Sequence, residues 1–177
     1  DLTDPMVPDL RNTAVLAGGG IVNLGAGVLA LNNSTIAGNV ATSSAAQGAG
    51  LYSFGQAILT NVTISENEAG GDGGGLAVVG GLTQLQNTLI ANNNSVATIN
   101  EDVFDATGSA SLSSNGNNLI GNNTGALPAL IGGGGTIVNV AAGIGRLADN
   151  GGPTATVAVM PGSPAIDAGA DTTDATD

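Results

Sequence analysis

The strongest constraint in this chain is that it repeats itself. Gly18-Gly19-Gly20-Ile21-Val22-Asn23 aligns with Gly48-Ala49-Gly50-Leu51-Tyr52-Ser53 and with Gly73-Gly74-Gly75-Leu76-Ala77-Val78. Downstream of each, Leu29–Ile36 aligns with Ile58–Ile64 and with Leu82–Ile90. Each copy closes on a turn asparagine: Asn39, Asn67, Asn93 and, in a weaker fourth copy, Asn123. Those asparagines stand 28, 26 and 30 residues apart. Internal similarity at such a period is the mark of a solenoid or propeller, because one unit cannot bury its apolar face alone.

Within a copy, apolar residues alternate over three or four positions and then break at Gly or Asn. That is a strand pattern, and no stretch holds a helical period. Strands this short, recurring in the same order, predict an all-β, right-handed parallel β-helix with about three short strands per coil and like strands about 4.8 Å apart. Five to seven coils are expected. Glycine at the corners Gly18, Gly19, Gly20, Gly48, Gly50, Gly73, Gly74 and Gly75 supplies turns. Asparagine tolerates the left-handed region and can bond its copy one coil away.

The rest of the chain divides around these copies into one domain. Residues 1–17 read as a lead-in or cap, with Pro5 and Pro8 opposing helix. Residues 18–148 read as repeat coils, loosened between Val96 and Leu112. Residues 149–177 hold three of the six prolines and read as a capping or contact segment.

Composition narrows the function. Phe54, Phe104 and Tyr52 are the sole aromatics, so the core is built from Ala, Val, Ile and Leu, which suits a narrow, regular interior. The formal net charge is −12, with Arg11 and Arg146 the only cations. Nucleic acid needs a basic footprint, and an anionic membrane surface needs basic clusters; neither fits. No apolar run is long enough to span a bilayer as a helix. With no cysteine, a disulfide framework is excluded. The start at Asp1 suits a mature secreted product or a cytosolic protein. The scarcity of Lys and Arg leaves few sites for trypsin-like proteases, which favours an extracellular setting.

Glycine- and asparagine-rich copies of this kind resemble the β-helix repeats of bacterial surface proteins, including polymorphic outer-membrane-type proteins. Further on, Leu119-Ile120-Gly121-Asn122, Leu147-Ala148-Asp149-Asn150-Gly151-Gly152-Pro153-Thr154 and Pro161–Gly169 (PGSPAIDAG) resemble the choice-of-anchor Q family. The resemblance covers residues 18–169. It implies an exported bacterial protein with a β-helix, often ahead of an anchoring module, and it supplies no catalytic residues. Val157 stands where a histidine is common after NGGPT, and no anchor follows Asp177.

Polysaccharide-cleaving β-helices project carboxylates from one face. The candidates here are Glu66, Glu68 and Asp72 in one corner, and Glu101, Asp102 and Asp105 in a loop. A hydrolase needs its pair about 5–10 Å apart, which Glu66 and Glu68 can meet on one extended face. Sugar sites also use aromatic platforms and basic partners, and the chain has no Trp, His or Lys. The acids therefore read as solvated loop residues. For Ca2+, Gly70-Gly71-Asp72-Gly73-Gly74, Asn100–Asp105 and the tail acids Asp167, Asp171, Asp174 and Asp177 supply oxygens, against the alternative of an acidic, solubilising end. No other cofactor is implied. Asn32, Asn33, Asn61, Asn93 and Asn122 fit the N-glycosylation pattern, which chance produces in Asn/Thr-rich repeats.

The expectation is therefore a non-enzymatic extracellular module, structural or adhesive, of a bacterial surface protein. Its partners would be a cell-surface or glycan ligand, or further copies joined head-to-tail into a filament. The alternatives are a polysaccharide lyase or hydrolase, and an ice-binding face built on Thr35, Thr63 and Thr88 once per coil.

Overall fold

A computed structural model of the chain describes residues 11–96, 101–108, 111–122, 127, 130 and 134–170. Four successive coils rise through it. The first holds β1 (Thr13–Ala14), β2 (Ile21–Asn23) and β3 (Val28–Ala37); the second holds β4 (Val40–Ala41), β5 (Leu51–Ser53) and β6 (Gln56–Ser65). The third holds β7 (Glu68–Ala69), β8 (Leu76–Val78), β9 (Thr83–Gln86) and β10 (Leu89–Ala91). The fourth holds β11 (Asn94–Ser95), β12 (Val103–Asp105), β13 (Leu112–Gly116) and β14 (Leu119–Ile120). β15 (Ile137–Val138) lies on β14, and β16 (Ile144–Ala148) forms a hairpin with β17 (Thr156–Val159).

Every pairing between coils is parallel, in three sheets: β1-β4-β7-β11, β2-β5-β8-β12, and a third in which β3 and β6 are continued by the split strands of later coils. This is the parallel β-helix that the repeats predict. Register puts like residues in columns. Ile36, Ile64, Ile90, Ile120 and Val138 stack in one, and Ile21, Leu51, Leu76 and Val103 in another. Each coil fills the same narrow cross-section, so branched aliphatics suffice. A fully buried Leu or Ile contributes about 1.5–3 kcal/mol. Tyr52 and Phe104 stand on the outer side of the second sheet, between the inward residues of their strands, and Phe54 is exposed.

The long third face bends at a left-handed asparagine in each coil: Asn33, Asn61, Asn87 and Asn117 have φ of 46°, 55°, 47° and 57°. Gly18, Gly48 and Gly73 open their corner with φ of 57°, 62° and 66°. Two residues on, Gly20, Gly50 and Gly75 are glycine for a different reason. A Cβ there would lie 2.6–2.7 Å from a carbonyl oxygen of the next coil. At the middle position a Cβ would lie 2.5 Å from the Val40 carbonyl at Gly19 and 2.1 Å from the Asn94 carbonyl at Gly74, whereas the second coil accommodates Ala49 fully buried.

Three expectations are corrected. The coils number about four, because the chain beyond Gly143 leaves the stack and runs as an antiparallel hairpin instead. The first coil begins inside the stretch read as lead-in: Thr13–Ala14 pairs with Val40–Ala41, and Ala17 bridges Gln47. Two-residue strands are too short to show alternation. Finally, Thr35 and Thr63 are in register, but Thr63 meets Leu89, not Thr88. Thr88 is buried, and its hydroxyl donates to the carbonyls of Leu59 and Gln86. The offset between these two coils is a constant 26 residues, so Thr88 falls in the inward place of Val62, one position before the column.

Candidate functional site

Between the third and first sheets the chain turns through one left-handed residue in each of the first three coils: Gly38 (φ 70°), Glu66 (φ 58°) and Asn92 (φ 60°). The next residue in each coil is the turn asparagine, and its side chain points inward. Asn39 donates its backbone N–H and its amide to Oδ1 of Asn67, at 3.0 and 2.8 Å. Asn67 donates likewise to Asn93, at 3.0 and 2.9 Å. Asn12 extends the ladder below by donating to Asn39. Spare amide hydrogens go to carbonyls within the coils, from Asn67 to Ile36 and Ser65 and from Asn93 to Ile64 and Ala91.

Asn123 lies outside the described residues, and Asn93 finds a different acceptor. Oδ1 of Asp102 takes its backbone N–H and its amide, both at 2.9 Å. Oδ2 of Asp102 takes the N–H of Asn122 at 2.6 Å. Asp102 is fully buried. Burial pushes its carboxyl up from 3.8 to about 6, against the opposing pull of the bonds from Asn93 and Asn122 and with a further push from the charge of Glu101.

The other candidate acids divide between two places. Glu101 bonds the Asn122 amide, and Asp105 closes its own turn by accepting from Thr107. Glu101 and Asp102 thus converge on Asn122, one from outside and one buried, while Asp105 turns to its own Thr107. Asp72 lies in the glycine corner, where its carbonyl accepts from Gly48. Glu66 and Glu68 flank buried Asn67 and share a cleft of about 480 Å3 with Arg11 and Arg146. Arg11 stands 3.7 Å from Glu68, and Arg146 3.8 Å from Glu66. A second cleft of about 550 Å3, lined by Glu101, Asn122 and residues 139–142, adjoins the first at Asn92. Among the described residues no three acidic side chains converge as a cation site requires. Asp171, Asp174 and Asp177 lie outside them.

Sequence reasoning did not join Arg11 to Arg146, because 135 residues separate them. The available signal was that they are the chain's only two cations. The hairpin joins them to one cleft. Ile144, Gly145 and Arg146 of β16 line the first cleft beside Glu66, whose carboxylate also accepts the N–H of Leu147 at 3.3 Å. The NGGPT stretch is the hairpin turn, closed by Asn150 donating to the Thr156 carbonyl. The PGSPAIDAG stretch straps back along the bent face: Asn117 donates to the Ala168 carbonyl, and Asn87 exchanges two bonds with Ala170.

Compared with known proteins, the chain matches no family model, no curated protein and no solved structure.

The glycosylation pattern meets the same geometry. The Asn93 amide is buried and fully bonded inside the ladder, and that of Asn61 donates to Asn33. The asparagines of this flank bond to neighbouring coils, and its ion pairs lie within the solenoid (Arg11–Glu68) and across the seam to the hairpin (Arg146–Glu66).

Proposed function

We propose that the chain is a structural module, a stiff spacer in an extracellular surface protein, and that it is not an enzyme. The observation that carries this reading is the continuous ladder from Asn12 to Asp102. A fully satisfied buried polar network ties each coil to the next and resists local opening. A rod that presents or spaces other modules needs that property. The shortage of Lys and Arg, and the resemblance of the NGGPT and PGSPAIDAG stretches to exported bacterial proteins, support the extracellular bacterial setting.

The test is limited proteolysis with a broad-specificity protease, followed by mass mapping. Residues 12–122 should survive as one resistant block under native conditions. Cleavage at the corners between coils would overturn the reading. So would turnover of an acidic or neutral glycan that is lost in Glu66→Gln/Glu68→Gln, because those carboxylates line the cleft that also holds both arginines.

A further inference from the structure

The hairpin turn holds chemistry that the ladder and the clefts do not use. Asn150 precedes Gly151, one of two Asn-Gly pairs in the chain, the other being Asn115-Gly116. In such a pair the backbone nitrogen of the glycine can reach Cγ of the asparagine and close a five-membered ring, because the glycine has no side chain to block the approach.

The fold prepares the two pairs differently. Asn115-Gly116 ends β13, inside the third sheet. There the Gly116 N–H donates to the Ser114 hydroxyl at 3.1 Å, and its carbonyl accepts from Asn87. A Cβ on Gly116 would lie 2.7 Å from the Gly134 carbonyl. Asn150-Gly151 stands instead in the exposed turn between β16 and β17. Gly151 has φ of 93°, with open space where a Cβ would be. Its N–H donates to Oδ1 of Asp149 at 2.9 Å, so the nitrogen that must lose a proton already points it at a carboxylate.

We propose that Asn150 is a self-modification site, converted to an acidic residue with Asp149 as the base. The Gly151 nitrogen bonds to Cγ of Asn150 as its proton passes to the Asp149 carboxylate. The Cγ–Nδ2 bond then breaks, and Nδ2 departs with that proton as ammonia, leaving a cyclic imide. One water opens the imide, at the side-chain carbonyl to give an aspartyl residue or at the main-chain carbonyl to give an isoaspartyl one.

The product undoes the turn that made it. The Asn150 amide donates to the Thr156 carbonyl at 2.9 Å and to its hydroxyl at 3.1 Å, beside the Ala148–Thr156 pair of the hairpin. A carboxylate has no hydrogen to donate and sets its charge against that carbonyl. The isoaspartyl form also lengthens the main chain. The hairpin therefore slackens at its turn end as the protein ages. The inference does not rest on the spacer role.

Ageing the full chain in mildly alkaline buffer tests it, with pepsin digestion in acid and fragment mass spectrometry to place each amide-to-acid conversion. Asn150 should convert several-fold faster than Asn115, with ammonia released in step, and at least as fast as in a guanidinium-unfolded sample. Asp149→Ser keeps a hydroxyl to accept the Gly151 N–H but cannot take up its proton. It should slow Asn150 several-fold and leave Asn115 unchanged. In the aged wild type, hydrogen exchange should show protection lost at the turn end of β16 and β17 and kept in β6 and β10. Conversion of Asn115 first, conversion of Asn150 faster unfolded than folded, or an equal rate in Asp149→Ser would overturn the proposal. So would an aged hairpin with its protection intact.

Discussion

Asp102 receives Asn93 in the place where the next asparagine of the ladder would stand, nine residues on in sequence rather than a full coil. The ladder has a direction, since each amide donates toward the C-terminal end. Its last member must accept from Asn93 and also from Asn122. A carboxylate accepts at both oxygens, whereas an amide would set an N–H against the N–H of Asn122.

This arrangement makes stability depend on pH. The folded-state value of about 6 lies above the 3.8 of an ordinary Asp. Below about pH 4 the group is neutral in both states, and its favourable contribution is complete. As pH rises from about 4 to about 6 the unfolded chain ionises first, so that contribution is lost, on the order of 3 kcal/mol. Chemical denaturation of wild type and Asp102→Asn across that window checks it. The wild type should lose stability relative to the variant as pH rises, and a constant difference between them would refute the assignment.

The two asparagine columns do different physical jobs, which substitution separates. Asn67 is fully buried, outside the left-handed region, and bonded on both sides. Asn67→Ala strands the donors of Asn39 and the carbonyls of Ile36 and Ser65, and should cost about 3 kcal/mol or more. Asn67→Gly should cost more still, because glycine adds backbone entropy to the unfolded chain. Asn61 sits at φ 55° on a half-exposed face. There glycine fits the backbone, so Asn61→Gly should be milder than Asn61→Ala. Urea denaturation of the four variants should show the Ala and Gly order reversed between the two sites.

Much of this was legible in the sequence. Strand order and the inward aliphatic columns follow from the alignment of the Gly18, Gly48 and Gly73 copies, because register in a solenoid is sequence spacing. The spacing of Asn39, Asn67 and Asn93 is likewise the spacing of hydrogen-bonded neighbours. Three things were not legible. Asp102 enters the ladder from a loop of irregular length, outside the repeat. Thr88 looks like a column member because it stands one residue from the place opposite Thr63, which Leu89 takes. Arg146 reaches Glu66 only because a non-repeating hairpin folds back along the flank, and no periodicity encodes a contact across 80 residues.

Ser65 offers a test in the opposite direction. Its hydroxyl is buried and has no hydrogen-bond partner among the described residues. In register above and below it stand Ala37 and Ala91, which have none to give. An unsatisfied buried hydroxyl costs about 1–3 kcal/mol, so Ser65→Ala should raise stability by about 1 kcal/mol. Thermal unfolding measures this directly, and a lowered midpoint would show that the hydroxyl is satisfied after all.

Glu66 is held at φ 58°, between Gly38 and Asn92 at the same corner of neighbouring coils. Of the described residues beyond glycine with positive φ, it alone is neither Asn nor Asp. That conformation costs an ordinary L-residue about 1–2 kcal/mol. Its ion pair with Arg146, whose side chain is 84 % exposed, returns about 0–1 kcal/mol. The balance is unfavourable to the solenoid itself. What the carboxylate gains is the hairpin, through Arg146 and the N–H of Leu147. Glu66→Asn should therefore leave the midpoint of unfolding unchanged or slightly raised while freeing β16 from the flank. Hydrogen exchange should show the Leu147 amide losing protection, with the amides of β6 and β10 keeping theirs. A variant that unfolds earlier, with Leu147 still protected, would mean that Glu66 supports the coil and not the strap.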